Sequence, residues 1–217
     1  MVREQRLPGG NTGGGVRVDD TVRRLPGRWT PSVHSLLRHL EGVGFSAAPR
    51  ALGFDDQGRE MLSYLSGEVV GTARPWPGWV HSDDALCQVA CWLRDFHAAV
   101  AGFEPPPAAI WREGGAWRPG LIVGHNDAAP YNVAWADGRL VGFFDWDFAA
   151  PVTPEWDLAF TAFAWVPLHA PARRGSRRLH RIRGQAATTE ALPGCLRLDR
   201  PDRPVHRDRQ ATRERIR

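Results

Sequence analysis

Two stretches near the start of the chain alternate apolar and polar positions with a period of two. In each stretch the alternating runs flank a polar turn: residues 16–25 surround Asp19-Asp20, and residues 49–65 surround residues 55–58. Period-two alternation interrupted by turn residues is typical of antiparallel hairpins. The pattern therefore predicts a small antiparallel sheet in the first third of the chain.

Three segments carry apolar residues at the spacing of three and four that is typical of helices. They begin at Thr30, Ser82 and Thr153. Thr and Ser favour helix N-termini because their side-chain oxygen accepts a hydrogen bond from a free backbone N–H. We expect three amphipathic helices here. His34 is expected at the surface, whereas His97 lies on an apolar stripe and is expected to be buried with a hydrogen-bond partner.

A second hairpin is predicted in the middle of the chain. Its two apolar runs, residues 133–135 and 140–144, flank the Asp-Gly pair at residues 137–138. Asp-Gly favours the tight two-residue turns that connect antiparallel strands. A turn centred on this pair sets Asn132 opposite Phe143, at the end of the hairpin that is far from the turn.

Polar side chains gather at that end. Asp145 follows one diagonal step beyond the expected partner of Asn132, and diagonal neighbours are only about 7–8 Å apart. Their oxygens could reach one Mg²⁺ ion, which needs few protein ligands. Asp127 follows the apolar strand 121–123 and suits a general base. Asp147 shares a strand face with Asp145 if the strand continues, either as a second metal contact or as a hydrogen-bonded surface residue.

The spacing of these residues is that of a kinase catalytic loop and its magnesium ligand. His-Asn-Asp-x-x-Pro-x-Asn, followed by Phe-Asp-Trp-Asp, resembles the aminoglycoside phosphotransferase family, a branch of the protein-kinase-like fold. The resemblance implies that Asp127 is the catalytic base and that Asn132 and Asp145 hold Mg²⁺ on the phosphates of ATP. It also implies that His125 and Asp157 support the site.

The nucleotide-binding part of the family pattern is less complete. Gly9, Gly10 and Asn11 lie in a glycine-rich turn that could lay backbone N–H groups over phosphates. The family has a Lys on the third strand and a Glu on the first helix, but this chain contains no Lys and no matching Glu. Arg24 lies nearest to the position of the Lys. It points either at the phosphates, which Arg can bind in a bidentate manner although it is not interchangeable with Lys, or into solvent.

The resemblance also implies a division of the chain into lobes. We expect an α+β, two-lobed, protein-kinase-like fold with a small β-rich nucleotide-binding lobe at residues 1–66. A mainly helical catalytic lobe follows at residues 67–170 and is expected to be incomplete. The backbone near Ser63 and Leu65, just before the connection between the lobes, is expected to contact adenine. Residues 171–217 form a separate Arg-rich tail.

Composition changes abruptly near residue 170. The first 170 residues carry 14 Arg and 19 Asp or Glu, whereas residues 171–217 carry 14 Arg and 5 acidic residues and no aromatic side chain. Low hydrophobicity with high net charge predicts disorder. The tail resembles an out-of-frame reading of a GC-rich gene, and its loss of family character should leave Phe160 and Phe163 exposed on the last helix.

The three cysteines are too few and too widely spaced for a disulfide framework or a zinc site, which fits a reducing cytoplasm. No apolar run approaches the ~20 residues that a membrane span requires. The function implied by the resemblance is transfer of the γ-phosphoryl group of ATP, with Mg²⁺, to a hydroxyl of a small molecule such as an aminoglycoside- or choline-like acceptor.

Three alternatives remain open from the residues themselves. The missing Lys and Glu are compatible with a non-catalytic nucleotide-binding module or an inactive truncated relative. The basic tail could bind nucleic acid through phosphates, although it lacks aromatic side chains for base stacking, so no nucleic-acid partner is expected. A metal-dependent hydrolase using His125 and Asp127 would have too few metal ligands.

Overall fold

The structure is a computed structural model that describes residues 4–7 and 14–166. The glycine-rich turn at residues 8–13 and the Arg-rich segment 171–217 lie outside the described residues, so the expectations for both stay predictions. In the part that the structure describes, no helix is both long and apolar enough to cross a membrane.

The described residues form nine β-strands and three α-helices. In chain order their bounds are β1 Glu4–Arg6, β2 Val16–Val18, β3 Thr21–Arg24, α1 Thr30–Gly42, β4 Ala51–Phe54, β5 Glu60–Ser63, α2 Asp83–Val100, β6 Ile122–Gly124, β7 Val133–Ala136, β8 Arg139–Phe143, β9 Ala150–Val152 and α3 Pro154–Trp165. The predicted α+β class is confirmed, with a β-rich N-terminal sheet followed by helices and two small two-stranded sheets.

The N-terminal sheet has the strand order β1-β2-β3-β5-β4, and all of its strand pairs are antiparallel. Both predicted hairpins, β2–β3 and β4–β5, are present. The strands that follow one another across α1 are not neighbours, because β5 lies between β3 and β4. The register of β3 and β5 sets Arg24 directly opposite Glu60. This cross-strand pair faces residues 145–147, which follow β8.

Helices α1 and α2 supply a large part of the apolar core. Leu36 and Leu40 of α1 and Phe96 of α2 are essentially inaccessible to solvent. Ser82 caps α2 as predicted, since its hydroxyl accepts a hydrogen bond from the N–H of Ala85. Thr30 differs from its predicted role as a cap. It is the first residue of α1, and its buried hydroxyl turns back to accept from the N–H of Gly27.

The central hairpin β7–β8 has a register one residue different from the prediction. Val133, rather than Asn132, pairs with Phe143, because a β-bulge leaves Val141 unpaired. A bulge places two residues of one strand against one of its partner and bends the strand. The bend sets Gly142 against the backbone of Ala47, where an added Cβ would lie only 2.7 Å from the Ala47 carbonyl group.

The segment after β5 is attached to this hairpin. The N–H of Glu68 donates to the carbonyl of Trp135 at 2.6 Å, and the N–H of Trp135 donates to the carbonyl of Glu68 at 3.0 Å. Gly67 permits the approach, because a Cβ there would lie 2.6 Å from the Trp135 carbonyl oxygen. The connection therefore ties the N-terminal sheet to the strand that begins just after Asn132.

The last described helix, α3, starts at the predicted position, with the Thr153 hydroxyl accepting from the N–H of Trp156. Its inner face carries Asp157 and Trp165, which are both buried. Phe163 is 66% exposed, as predicted. Phe160 is only half-buried, so the prediction of an exposed apolar face holds more fully for Phe163 than for Phe160.

Candidate active site

His125 anchors the loop that follows β6. Its ring is completely buried and packs against Trp92, Phe143 and Trp146. Nε2 donates to the carbonyl of Phe144 at 3.2 Å, and Nδ1 accepts from the N–H of Asp127 at 3.2 Å. Burial lowers the pKa of His125, so the ring is neutral with its proton on Nε2. The His125 ring therefore joins the loop after β6, which contains Asp127, to the end of β8.

Asp157 supports the same loop from α3. One carboxylate oxygen accepts from the N–H of Asn126 at 2.9 Å, and the other lies 2.8 Å from Nε2 of His97. Asn126 has a left-handed backbone, with φ at 59°. Asn adopts this conformation more readily than most residues, and the bond to Asp157 holds it there. His97 thus has the hydrogen-bond partner that the sequence analysis expected, although its ring is partly exposed.

The loop leaves little space beside Asp157, which makes Gly124 a test of the arrangement. A Cβ at residue 124 would lie 2.6 Å from a methyl group of Val152 and 2.9 Å from the carboxyl carbon of Asp157. We expect Gly124→Ala to lower the free energy of unfolding by about 1–3 kcal/mol, the usual cost of overpacking. Urea unfolding measures the loss.

Gly42→Ala is the matched control, because a Cβ at residue 42 meets nothing within 4 Å. Ala is a better helix former than Gly by about 0.8–1.0 kcal/mol, so this change at the end of α1 should not destabilise the protein. If Gly124→Ala were no more harmful than Gly42→Ala, the tight packing around Asp157 would be contradicted.

Asp127 and Asn132 form a hydrogen-bonded pair beyond β6. The amide nitrogen of Asn132 donates to Oδ2 of Asp127 at 2.7 Å and to its backbone carbonyl at 3.0 Å. The hydroxyl of Tyr131 donates to Oδ1 of Asp127 at 2.8 Å. Burial raises the pKa of Asp127, and the hydrogen bonds from Tyr131 and Asn132 only partly offset this effect. The half-buried carboxylate accepts a hydrogen bond from one hydroxyl group, that of Tyr131.

Asp145 lies where the chain leaves β8. Its φ of 60° is left-handed, and the short helical turn Trp146–Phe148 follows it. The strand therefore does not continue, so Asp145 and Asp147 do not share a strand face as predicted. Asp147 is also not a surface residue, because it is buried and pairs with Arg24 at 2.6 Å and with Arg112 at 3.6 Å.

Arg24 points into the site rather than into solvent. Its guanidinium donates from Nε to Glu60 at 2.6 Å, from Nη1 to Asp145 at 3.2 Å and from Nη2 to Asp147 at 2.6 Å. Burial by itself lowers the pKa of Arg24, but the three carboxylates outweigh it and raise the pKa above its ordinary value. The side chain is a permanent cation that joins the N-terminal sheet to residues 145–147, which follow β8.

Glu60 is a site residue that the sequence pattern did not indicate, and the predicted surface position of His34 is wrong. His34 is buried rather than exposed, and its Nε2 lies 2.9 Å from Oε1 of Glu60. Although burial raises the pKa of Glu60, the bonds to His34 and Arg24 lower it overall, so Glu60 is ionised. An Arg–Glu pair thus exists where the sequence indicated no cation–carboxylate pair. Pairing the predicted strand at residue 60 with that of Arg24 would have revealed it.

The remaining residues predicted to contact the nucleotide lie in the glycine-rich turn and near the end of β5. Gly9, Gly10 and Asn11 lie outside the described residues. Ser63 lies within β5, where its N–H donates to the Arg50 carbonyl and its hydroxyl accepts from the Arg50 N–H. These groups of Ser63 are therefore used inside the sheet, which does not favour the predicted adenine contact. Leu65 follows the end of β5.

The oxygens that could hold a divalent cation are those of Asn132 and Asp145. The amide nitrogen of Asn132 is occupied by Asp127, which leaves Oδ1 as the side-chain atom able to ligate a metal. Asp145 keeps a partly exposed carboxylate. The described residues contain no group of three or more His, Cys, Asp or Glu arranged to hold a metal by themselves. This donor set suits Mg²⁺, which takes few protein oxygens together with phosphate oxygens and water.

Comparisons with known proteins show what this chain resembles. Residues 108–192 match the family model described as "APH: Phosphotransferase enzyme family". The matched range contains Asp127, Asn132, Asp145 and Asp157. Together with the structural neighbours described below, the match confirms the resemblance to the aminoglycoside phosphotransferase family and the protein-kinase-like fold.

A curated relative is the Trifolitoxin immunity protein of Rhizobium leguminosarum bv. trifolii. It is 40% identical to this chain over 157 residues, which cover 68% of this chain and 58% of that protein. The chain therefore spans somewhat more than half of the length of this relative.

Solved structures share the fold at low sequence identity. The amicoumacin kinase hAmiN, in complex with AMP-PNP, Ca²⁺ and Ami, is 10% identical with a TM-score of 0.62, covering 88% of this chain and 71% of that chain. A choline/ethanolamine kinase family protein from Mesorhizobium loti is 16% identical with a TM-score of 0.53, covering 88% and 69%. The GDP complex of aminoglycoside 2'-phosphotransferase-IIIa is 16% identical with a TM-score of 0.52, covering 76% and 73%.

Proposed function

We propose that this chain transfers the γ-phosphoryl group of ATP to a hydroxyl group of a small molecule. The observation that carries the proposal is the convergence of a half-buried carboxylate, an amide and a second carboxylate at one end of the β7–β8 hairpin. Asp127, Asn132 and Asp145 supply these groups, and Arg24 brings a cation to the same place. Phosphoryl transfer needs mainly positioning and charge stabilisation, which this set provides.

Asp127 is the proposed general base. The acceptor hydroxyl would bind Oδ1, where Tyr131 now donates, and would give its proton to the carboxylate. The hydroxyl oxygen would bond to the γ-phosphorus as the bond from that phosphorus to the leaving oxygen of ADP breaks. Asn132 keeps the other oxygen of Asp127 occupied, which fixes the direction of the free lone pair.

Asn132 and Asp145 would hold Mg²⁺ through their side-chain oxygens. When bound, the ion would neutralise charge on the ATP phosphates during transfer. Arg24 would contact the phosphates beside it, because a guanidinium matches the geometry of phosphate oxygens. His125 and Asp157 would keep the loop in place from the side away from the ligand.

The nucleotide would lie between the N-terminal sheet and residues 125–147. We propose residues 1–66 as the nucleotide-binding lobe and residues 67–170 as a partial catalytic lobe. Leu65 would contribute backbone groups near adenine, and Gly9, Gly10 and Asn11 would cover the phosphates. A cytoplasmic location would supply ATP and would suit Cys87 and Cys91, which form no disulfide bond in the described part of the chain.

ADP formation tests the proposal directly. The purified chain is incubated with ATP and Mg²⁺, with and without an acceptor from a panel of aminoglycosides, macrolides, choline and ethanolamine. We expect ADP release to depend on one of these hydroxyl compounds and to stop when EDTA removes Mg²⁺. Binding of ATP without turnover on any hydroxyl compound would favour the alternative, a non-catalytic nucleotide-binding module.

The curated relative suggests a second, compatible role. Because that protein is named for immunity to trifolitoxin, we propose protection against a toxin as the biological context, with the acceptor hydroxyl carried by the toxic compound. Expression of the chain in a sensitive strain should raise tolerance to that compound. An equal rise with an Asp127→Asn variant would separate protection from phosphoryl transfer.

A further inference from the structure

The guanidinium of Arg24 is held unequally by its three carboxylates. Its contacts with Glu60 and Asp147 are both 2.6 Å, and the side chains of these residues are 1% and 11% exposed. Its contact with Asp145 is longer, at 3.2 Å, and that side chain is 35% exposed. The Nη1 edge is therefore the loosest and most open side of the guanidinium, and it faces the proposed metal ligand.

Glu60 is itself fixed from the other side. Its Oε2 accepts from Nε of Arg24, while its Oε1 lies 2.9 Å from Nε2 of His34. Both Glu60 and His34 are 1% exposed. Each carboxylate oxygen thus has its own partner, and Glu60 cannot rotate without breaking one of these two contacts. A series of contacts therefore runs from His34 of α1 to Glu60 and from Glu60 to Arg24.

We infer that Glu60 and His34 are positioning residues that aim the guanidinium of Arg24 at the phosphates of ATP. The inference rests on the proposed function. A guanidinium is a planar fork whose orientation decides whether it can bind phosphate oxygens in a bidentate manner. Glu60 fixes one edge of the fork and leaves the Nη1 edge for the ligand. Helix α1 has no carboxylate next to Arg24, but it acts on Arg24 indirectly, because His34 of α1 holds Glu60.

The test measures how much the phosphates contribute to nucleotide binding. The dissociation constants of ATP and adenosine are determined in Mg²⁺, and their ratio reports phosphate recognition. We expect Glu60→Gln to reduce the preference for ATP by about tenfold or more, as expected for losing a charge-assisted contact. If Glu60 acted only as a nearby negative charge, its removal would increase the preference for ATP, and this result would overturn the inference.

Two comparisons separate positioning from general damage. Asp55, in the turn between β4 and β5, pairs with Arg23 and Arg59 rather than with Arg24, so Asp55→Asn should leave the preference for ATP unchanged even if stability falls. In an Arg24→Gln background, Glu60→Gln should have almost no further effect, because residues that act through one another are not additive. An additive loss would overturn the inference.

His34 provides an independent test if Glu60→Gln does not fold. His34→Gln keeps a donor for Glu60 and should hold the preference for ATP over adenosine within about threefold of the wild-type value. His34→Leu removes the donor and should reduce this preference more than His34→Gln does. A wild-type protein that does not prefer ATP over adenosine would overturn both this inference and the proposed function. A wild-type preference that persists in Glu60→Gln and His34→Leu would overturn this inference alone.

Discussion

Replacing Asp127 by Asn is expected to lower phosphoryl transfer by about 10²–10⁴-fold, the usual contribution of a general base. The affinity for ATP should stay nearly unchanged, because Asp127 faces the acceptor hydroxyl rather than the metal. The substitution fits the loop. The new amide oxygen can accept from Asn132, and the new amide nitrogen can donate to the Tyr131 hydroxyl, which can reverse its hydrogen bond.

Turnover and nucleotide binding are measured on the same preparations to check this result. Asp56→Asn, at an exposed turn position, is the control for the loss of one carboxylate. Turnover that survives in Asp127→Asn would remove Asp127 from the role of base. If turnover and ATP affinity fell together, the residue would instead be important for the structure of the loop.

Replacing Asp145 by Ala is expected to weaken the binding of Mg·ATP by about tenfold or more, since the change removes the anionic oxygen ligand. Asn132→Ala, which removes a neutral ligand, should have a smaller effect. Without metal, Asp145→Ala should bind ATP at least as tightly as the wild-type protein. The reason is that Arg24 then loses the carboxylate at 3.2 Å that occupies its open edge.

Titrations with ATP in the presence and absence of Mg²⁺ distinguish these outcomes. Asp137→Ala is the matched control, because Asp137 is an exposed Asp with a left-handed backbone, φ 52°, close to the 60° of Asp145. It carries the same backbone strain without a place in the site. Wild-type affinity that does not respond to Mg²⁺ would contradict the assignment of Asp145 as a metal ligand.

Several features could be predicted from the sequence because they depend on neighbours along the chain. The caps at Ser82 and Thr153 and the turn at residues 137–138 are local, since each is set by a few adjacent residues. The spacing of Asp127 and Asn132 is local in the same sense. Both residues lie in the short loop between β6 and β7, so their separation does not depend on distant parts of the chain.

Errors arose where the local pattern gave no information about packing. The bulge at Val141 cannot be deduced from alternation, because it accompanies the close approach of Gly142 to the backbone of Ala47, far away in sequence. The prediction of a surface position for His34 is wrong for a similar reason. Its partner, Glu60, lies on a strand that reaches it only in the folded protein.

The sequence by itself determined where the hairpins, the helices and the loop between β6 and β7 lie, because hydrophobic period, caps and turn residues act over a few positions. Only the tertiary structure decided that β5, rather than β4, lies beside β3, and therefore that Glu60 stands opposite Arg24. The same packing brings Asp145 and Asp147 to the other nitrogens of this guanidinium. Arg24 can bind Asp145 and Asp147, which lie 121 and 123 residues away in the sequence, because burial strengthens the attraction, whereas the linear sequence shows only isolated charges.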